Sequence, residues 1–478
     1  MDATSRRALA ALCALTAAGA ALRLPFLGNQ SIWYDEWLTL GVVQHDSLGG
    51  VLDGVRLTEA NPPLYYAVTW AWTQLVGSTG DVPLRTPAAI AGVLCVPASY
   101  LAVRRLAGRA AALAAAALCA TSPVLVAFSL NARAYPLAVL FACLSLWALG
   151  RALEDPGGRR LAVWSATAAL CLWTHYYTAF VVAAELAVLA WRLPAARRRV
   201  AAAAAAVAVA FAPLVPLLAD QRDERASHIS ELDLGERVEQ AVRQLAAAPN
   251  PPGAALEGAA IALAAVLLAA GAAAVLARRL TGPALLGAIG AAAVAAPLAL
   301  AAAGIDDHFF MRNLLPAWPC LAAVAALGAV RLRCVPLAAA AAVGVAIVLA
   351  TQGDWRHQNA DWRGAVGAVE ADARGLPIVV LPGFDAPVAG VYAHRPIASG
   401  PVTAAGAWVV VEPGRVGRRD LRALPGYPRA APAGFRAVER REHRGFLMVR
   451  YAAARPLPLD PAALGPDVLG QRPLVLLP

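Results

Sequence analysis

The chain has 478 residues, of which 59% are hydrophobic and only 15% are charged, and its mean hydropathy is +0.58. Soluble domains carry about 25% charged residues, so this composition excludes an ordinary soluble protein and indicates one that crosses a membrane several times. The net charge of +10 does not indicate a nucleic-acid partner, because the arginines lie mostly in short clusters between apolar runs, as in cytoplasmic loops.

Apolar runs recur over the first three-quarters of the chain. The first, at 8–27, follows Arg6 and Arg7 and continues into the next loop without a convincing cleavage site, so we interpret it as a retained span. About twelve segments have the length of spanning helices. They are 8–27, 62–77, 82–103, 110–130, 134–150, 161–177, 178–191, 200–218, 256–277, 282–303, 313–330 and 335–351.

Arginine clusters between these segments indicate the topology. If all twelve segments cross, Arg104, Arg105 and several later clusters fall outside, whereas every cluster falls inside if 62–77 does not cross. We therefore predict a multi-pass cell-membrane protein with about eleven transmembrane helices and an interfacial or re-entrant helix at 62–77. Its N-terminus is then cytoplasmic and its C-terminal domain is extracytoplasmic.

Two adjacent carboxylates, Asp35 and Glu36, lie among aromatic residues in the first predicted outer loop, 28–61. Carboxylates at this position are hydrated enough to stay ionised and close enough to lipid to meet a lipid-linked substrate. A solvated loop without a function is the alternative, since ionisable groups at such places are costly but not forbidden.

The predicted orientation collects further polar residues on the outer side. Solitary arginines there oppose the positive-inside bias, and an anionic headgroup would explain them. The set comprises Glu59, Asn61, Tyr65, Arg85, Asn131, Arg133, Tyr135, His175, Tyr176, Asp306, Asp307, His308 and Arg312.

A charged outer loop covers residues 219–255, and its spacing permits a surface helix near 231–247. Such a helix is either simply solvated or a lid over a lipid site, because long loops often act as lids.

The composition changes after Thr351, and the remainder, 352–478, alternates helical and strand-like stretches. It predicts a small extracytoplasmic α/β domain, joined to a transmembrane catalytic domain at 1–351. We expect helices at 362–373 and 386–394, strands at 377–381 and 407–412, a hairpin at 435–451 and an extended Pro-rich end from Ala452. The role of this domain stays open between acceptor binding, another accessory role and a structural cap.

The seven cysteines fall in predicted spans or beside a cytoplasmic loop, without metal-ligand spacing, so the sequence predicts no disulfide framework.

Six short motifs follow one another along the chain and resemble the GT-C superfamily of membrane glycosyltransferases, in particular the glycosyltransferase family 39-like proteins. That group includes protein O-mannosyltransferases and the aminoarabinose transferases that modify lipid A. The motifs are Trp33-Tyr34-Asp35-Glu36, Asn61-Pro62-Pro63-Leu64-Tyr65-Tyr66, Arg85-Thr86-Pro87-Ala88-Ala89-Ile90-Ala91-Gly92, Ala132-Arg133-Ala134-Tyr135, Thr174-His175-Tyr176 and Arg312-Asn313-Leu314-Leu315-Pro316.

The resemblance implies sugar transfer from a polyprenyl phosphate to an acceptor at the outer face, with Asp35 as the candidate general base. The chemistry agrees, since a glycosyl phosphate already has a good leaving group and one carboxylate can accept the proton of the acceptor hydroxyl. A single displacement inverts the anomeric centre, whereas retaining hydrolases need a second carboxylate as nucleophile. We therefore assign Glu36 a supporting role.

Basic residues on the predicted outer face can hold the departing phosphate. Arg133 and Arg312 are the first candidates, with His175 and Arg85 beside them. The alternatives are a membrane anchor or a salt bridge for the arginines, including Arg85 with Glu59 or Asp81, and a satisfied polar residue for His175. Candidates for sugar or prenyl contacts are Tyr65, Tyr135, Tyr176 and Asn61, although interfacial tyrosines occur in any membrane protein.

The sequence departs from related sequences at two positions. Asn131 stands where an acidic residue is frequent, and Asn313 stands where Tyr is frequent. The first change puts in doubt any metal site that would use the missing acid. Asp306, Asp307 and His308 form an alternative ligand set, but we predict no metal and no cofactor, because protein O-mannosyltransferase relatives need none.

Two other classes of function stay open at this point. A transporter or flippase of lipid-linked sugars would place paired charges deep within the spans, where this sequence has almost none apart from Glu185. A non-catalytic GT-C scaffold that binds lipid or a partner enzyme is opposed by Asp35 and favoured by Asn131. The sequence leaves open the sugar, with mannose and a pentose such as arabinose as candidates, and the acceptor, which is a protein, glycan or lipid hydroxyl.

Overall fold

The computed structural model describes residues 3–222, 229, 232–305, 307–372, 375–412, 431–464 and 472–478. The chain divides into two compact units. The membrane unit comprises Met1–Leu27 and Thr39–Ala350, and the C-terminal unit comprises Gly28–Leu38 and Thr351–Pro478. The boundary after Ala350 lies beside the predicted one. The assignment of Gly28–Leu38 to the C-terminal unit differs from the sequence analysis, which places the whole first loop in the transmembrane domain.

Sixteen helices of the described residues belong mainly to the membrane unit. Their bounds are α1 Ala3–Ala21, α2 Tyr34–Val43, α3 Leu48–Thr58, α4 Leu64–Val76, α5 Asp81–Thr121, α6 Pro123–Ser129, α7 Tyr135–Glu154, α8 Gly158–Thr174, α9 Thr178–Arg192, α10 Arg197–Phe211, α11 Leu214–Arg222, α12 Leu234–Ala247, α13 Ala254–Arg278, α14 Thr281–Ala302, α15 Trp318–Arg331 and α16 Val335–Gly353. A 3₁₀ segment, Met311–Ala317, leads into α15.

Each of the eleven predicted spans coincides with helical structure. In the described part of the chain, seven helices are long and apolar enough to cross a membrane, or up to eight if Thr178–Arg192 and Pro194–Phe211, which are bent by 100°, form one span. The number is lower than eleven partly because α5 joins the predicted span 82–103 to the first part of the predicted span 110–130, across a break at Gly108 with φ +85°. Helix α8 has 17 residues and is left out because the count includes only helices of at least 18 residues.

Helix α4 is the segment for which the sequence predicts an interfacial or re-entrant position. Its 13 residues span about 20 Å at 1.5 Å per residue, which is less than the hydrocarbon thickness of about 30 Å. Its buried residues, Tyr65, Tyr66, Thr69 and Thr73, recur at helical spacing on one face. The helix is therefore too short to cross on its own.

Small residues let the membrane helices approach closely. A Cβ atom at Gly271 on α13 would overlap the carbonyl oxygen of Val324 on α15, and one at Gly328 would overlap that of Leu267. Such glycines bring helix backbones into contact in membranes, where dispersion forces replace the hydrophobic effect between helices. The alanine-rich composition thus supports tight packing of α13 against α15.

In the part of the C-terminal unit that the structure describes, six strands form one sheet in the order β2-β6-β1-β3-β5-β4, with β1 and β3 parallel and the other pairs antiparallel. The predicted α/β class is therefore confirmed. Strands β2 and β6 are absent from the prediction, which treats the end of the chain as extended. The elements are α17 Trp362–Asp372, β1 Ile378–Leu381, α18 Ala386–Ala393, β2 Ile397–Ala398, β3 Val402–Val411, β4 Arg436–His443, β5 Phe446–Leu459 and β6 Leu474–Leu476.

Candidate active site

A buried ion pair joins Arg133 and Glu59 in the membrane unit. Nη1 of Arg133 donates to Oε1 of Glu59 at 2.8 Å, and Nη2 donates to Oε2 at 3.0 Å. The two side chains are 6% and 1% exposed. This two-bond geometry fixes the guanidinium plane as well as its position.

Two residues surround this pair. Nη1 of Arg133 also donates to Oγ1 of Thr39 at 3.1 Å. Tyr66 is fully buried beside the pair, and burial raises the pKa of its phenol well above the ordinary value, while Arg133 opposes and Glu59 adds to the shift. Tyr66 is therefore a neutral hydroxyl at physiological pH.

His175 follows the last residue of α8 and is only 2% exposed. Its ring lies 5.5 Å from that of Tyr135, centroid to centroid. The positive charges of Arg312 and Arg133 both act on this buried ring. The backbone N–H of Tyr177 donates to Nδ1 at 3.2 Å, which assigns the proton of the neutral ring to Nε2.

Arg312 lies in the 3₁₀ segment, half-buried, with its guanidinium carbon 5.3 Å from the centre of the Phe310 ring. Helix α12 anchors the residues just before it. Buried Arg237 on this helix pairs with Asp307 at 2.7 Å and donates to the carbonyl of Phe309 at 3.3 Å. The predicted outer-loop helix is thus present at 234–247, and three of its residues, Arg237, Ala241 and Ala247, are buried where a simply solvated helix would have none.

Tyr176 and Asn61 are linked through Gln221. The hydroxyl of Tyr176 donates to Oε1 of Gln221 at 2.9 Å, and Nε2 of Gln221 lies 3.1 Å from the carbonyl of Val55 and 3.4 Å from that of Asn61. Gln221 therefore connects α11 with the loop that precedes α4.

Two predicted site residues lie in other surroundings. Arg85 is buried at the start of α5 and donates to the carbonyl of Leu27 at 2.9 Å. Tyr65 is 1% exposed and belongs to an apolar cluster with Val42, Val55 and Ala134. Packing therefore accounts for the burial of Tyr65 without a ligand.

Asn131 and Asn313, the two departures from related sequences, both donate hydrogen bonds to backbone carbonyls. Nδ2 of Asn131 lies 2.7 Å from the oxygen of Ala127, and Nδ2 of Asn313 lies 2.8 Å from that of His308. An ionised carboxylate cannot make the first of these bonds. The amide at position 131 thus has a structural use of its own.

Asp35 and Glu36 occupy the first turn of α2, where acidic residues are favoured. Glu36 is fully buried and Asp35 is partly exposed. Both belong to the C-terminal unit, and residues of that unit bind the chain just before them. The hydroxyl of Ser31 donates to Oδ1 of Asp361 at 3.2 Å.

Among residues 3–222, 229, 232–305, 307–372, 375–412, 431–464 and 472–478, no three His, Cys, Asp or Glu side chains are grouped so as to hold a metal ion. Asp306, from the alternative ligand set, lies outside the described residues, and Asp307 is paired with Arg237.

The structure thus brings together Arg133, Tyr135, His175 and Arg312. Sequence reasoning missed the partners that hold this cluster, namely Thr39, Gln221, Arg237 and the pairing of Glu59 with Arg133. Among these partners, only Glu59 could have been found from the sequence, because it lies two residues before Asn61, at the start of the second motif.

Comparison with known proteins agrees with the resemblance seen in the sequence. Residues 60–219, about a third of the chain, match the family model described as dolichyl-phosphate-mannose-protein mannosyltransferase. A search of curated proteins found no match.

Solved structures resemble most of the chain at low sequence identity. ArnT from Cupriavidus metallidurans bound to undecaprenyl phosphate is 12% identical, with a TM-score of 0.58 over 94% of this chain and 98% of that chain. Its apo structure gives 0.55 at the same identity and coverage. AglB from Archaeoglobus fulgidus, in complex with an inhibitory peptide and a dolichol-phosphate, is 14% identical, with a TM-score of 0.54 over 82% of this chain and 64% of that chain.

The chain therefore spans just under two thirds of the length of AglB and nearly all of ArnT. At these identities the likeness shows the fold. The predicted GT-C fold, with helices of membrane-spanning length and a small C-terminal sheet domain, is confirmed.

Proposed function

We propose that this protein is an inverting glycosyltransferase that moves a monosaccharide from a polyprenyl-phosphate donor to an acceptor hydroxyl on the outer face of the membrane. The observation that carries the proposal is the convergence of Arg133, His175 and Arg312 in one cluster of a GT-C fold. Two similar structures hold prenyl phosphates, undecaprenyl phosphate in ArnT and a dolichol-phosphate in AglB, which supports the same class of donor here.

In this proposal the phosphate binds to a preformed set of donors. Arg133, oriented by Glu59, contributes its fixed guanidinium, and half-buried Arg312 approaches the phosphate from the 3₁₀ segment. His175 contributes a neutral N–H from Nε2. Donors held in place before the reaction stabilise negative charge as it develops on the leaving phosphate, without reorganisation.

Asp35 acts as the general base. Its carboxylate takes the proton of the acceptor hydroxyl, the oxygen bonds to the anomeric carbon from the side opposite the phosphate, and the sugar–phosphate bond breaks with its electron pair on the phosphate. Asp35 lies in the first turn of α2 and is partly exposed. Glu36 has a supporting role, in keeping with its full burial.

Tyr135, beside His175, is the best placed candidate for contact with the sugar or prenyl chain, with Tyr176 and Asn61 as further candidates. Arg85 and Tyr65 have weaker support because each is buried among other partners. Mannose or a pentose such as arabinose is the proposed sugar, and a protein, glycan or lipid of the cell envelope is the proposed acceptor. We further propose that the N-terminus is cytoplasmic and the C-terminal domain extracytoplasmic.

Sugar transfer by the purified protein in nanodiscs tests this function. Radiolabelled decaprenyl- and undecaprenyl-phosphate sugars would be offered with a cell-envelope extract as acceptor. We compare the wild type with Asp35→Asn and with Asp53→Asn, which removes an exposed carboxylate from α3 in the same loop. Loss of a general base should lower turnover about 10²–10⁴-fold, and Asp53→Asn should leave it unchanged.

The outcomes separate the remaining alternatives. Equal turnover by wild type and Asp35→Asn would reject Asp35 as the base while keeping the enzyme. A product with retained anomeric configuration would reject the single displacement. Saturable lipid binding without turnover for any donor would favour a scaffold, and movement of the donor between leaflets without transfer would favour a flippase.

A further inference from the structure

The segment just before Asp35 is fixed at several consecutive points by residues from the far end of the sequence. The hydroxyl of Ser31 donates to Oδ1 of Asp361 at 3.2 Å and accepts from the backbone N–H of Arg363 at 3.1 Å. The backbone N–H of Ile32 donates to the hydroxyl of Tyr392 at 2.7 Å. These three bonds lie within four residues of Asp35.

Further contacts extend this attachment on both sides. Nη2 of Arg363 donates to the carbonyl of Gly28 at 2.9 Å, and the N–H of Asn359 donates to Oε1 of Gln30 at 3.1 Å. The ring of Tyr34 meets that of Phe384 edge to face, with the centroids 5.9 Å apart. Residues 28, 30, 31, 32 and 34 are therefore all bound by the later part of the same unit, Thr351–Pro478.

Asp361 links this attachment to the sheet. Its Oδ1 also accepts from the N–H of Gly364 at 3.0 Å, and its Oδ2 accepts from Nη1 of Arg444 at 3.0 Å, in the turn between β4 and β5. Nε2 of His443 lies 3.5 Å from the same oxygen. One carboxylate thus joins the first-loop segment, the start of α17 and the β4–β5 hairpin.

We infer that the Thr351–Pro478 part of the C-terminal unit positions the proposed general base. Asp361, Arg363 and Tyr392 are the positioning residues, because they bind the Gly28–Leu38 segment and thereby hold the first turn of α2. This inference rests on the proposed function. Catalytic groups must be held within about 0.5 Å of their productive position, and a displacement of 1 Å can lower a rate about 10²-fold. A cap with a purely structural role would have no need to bind three of the four residues that precede the base, Ser31, Ile32 and Tyr34.

Tyr392→Phe tests the inference because it removes one hydroxyl and keeps the ring on α18. Tyr451→Phe, the same change in the core of the sheet, is the matched control, and Ser31→Ala is a second test at the other end of the attachment. Turnover is measured against donor concentration, and amide hydrogen exchange of residues 29–38 is measured without substrate.

We expect Tyr392→Phe and Ser31→Ala to speed exchange in 29–38 and to lower kcat by about 10-fold or more. The KM for the donor and the midpoint of thermal unfolding should stay close to those of Tyr451→Phe. Faster exchange with unchanged kcat would overturn the positioning role, and so would unchanged exchange. Absence of turnover in the wild type would instead reject the proposed function, while the exchange measurement still reports whether the attachment exists.

Discussion

Two carboxylates, one in each unit, hold together segments that are far apart in the sequence, but their surroundings differ. Glu59 in the membrane unit is 1% exposed and has both oxygens bonded to the guanidinium of Arg133. Asp361 in the C-terminal unit is 16% exposed and shares its oxygens among Ser31, Gly364 and Arg444, with His443 nearby.

This difference separates two ways of building a site. A fully buried ion pair is screened little by salt and cannot lose one member without leaving a desolvated charge. A partly exposed network of several weaker bonds can lose one of them and keep the others. The membrane unit therefore has a fully buried, two-bond ion pair, whereas the C-terminal unit has a partly exposed network that can be weakened one bond at a time.

Removal of the Glu59 side chain is the strongest test of the comparison. Glu59→Ala leaves Arg133 buried without its partner, which should cost about 3–5 kcal/mol of unfolding free energy. The control is Glu239→Ala on α12, whose pair with Arg243 is exposed and should contribute at most about 1 kcal/mol. Unfolding in detergent measures both variants, and similar losses would show that burial of the Glu59–Arg133 pair has no special weight.

Replacement of the arginines by lysine separates geometry from charge. Arg133→Lys keeps the positive charge but loses the two-bond contact with Glu59, so we expect a loss of about 1.5–3 kcal/mol, the range for one hydrogen bond to a charged group. Arg444, 52% exposed, makes one 3.0 Å bond to Asp361, and Arg444→Lys should cost less than about 1 kcal/mol.

The rate of donor turnover is a second measurement on Arg133→Lys and Arg444→Lys. The guanidinium of Arg133 is part of the proposed phosphate site, so Arg133→Lys should lower turnover, whereas Arg444→Lys should leave it nearly unchanged. Equal effects on stability would mean that the two-bond contact has no advantage over a single one.

The sequence predicts the membrane cluster better than the contacts that hold it. Arg133, His175 and Arg312 each lie near a helix end that the positive-inside bias places on the outer side, so hydrophobic runs and arginine clusters suffice to group them. The pairing of Arg133 with Glu59, 74 residues earlier, has no periodicity that would reveal it. The sequence offers Arg85 as an alternative partner for Glu59.

The C-terminal unit shows the same limit at a larger separation. The change in composition after Thr351 is visible in the sequence, and so are parts of β1, β3, β4 and β5, whereas β2 and β6 are not. The attachment of Ser31 to Asp361 spans 330 residues. Because tertiary contacts at such distances depend on the packed fold, composition alone assigns the Asp35 segment to the transmembrane domain, whereas the structure groups it with the C-terminal unit.

Acidification should weaken the Asp361 attachment. Burial opposes ionisation of this side chain, but the Gly364 N–H and the charge of Arg444 outweigh burial, with Ser31 and His443 adding to them, so the pKa of Asp361 lies below its ordinary value. Its contribution to stability is therefore present at pH values above the unfolded pKa of about 3.9 and is lost as the pH falls through the lower folded value. Because the group is partly exposed, we expect a change below about 1 kcal/mol.

Amide exchange of residues 29–38, measured between pH 3 and 7 and corrected for the intrinsic rate, detects this change. Protection should fall at the acid end in the wild type and in Glu59→Gln, because Glu59 has no part in the attachment. Asp361→Asn has no carboxylate to titrate, so its protection should be lower at neutral pH and should not fall further with acid. If the protection of Asp361→Asn fell with acid as much as that of the wild type, the pH dependence would belong to another group. Titration of Asp361 would then not weaken the attachment, and this difference from the Glu59–Arg133 pair would be lost.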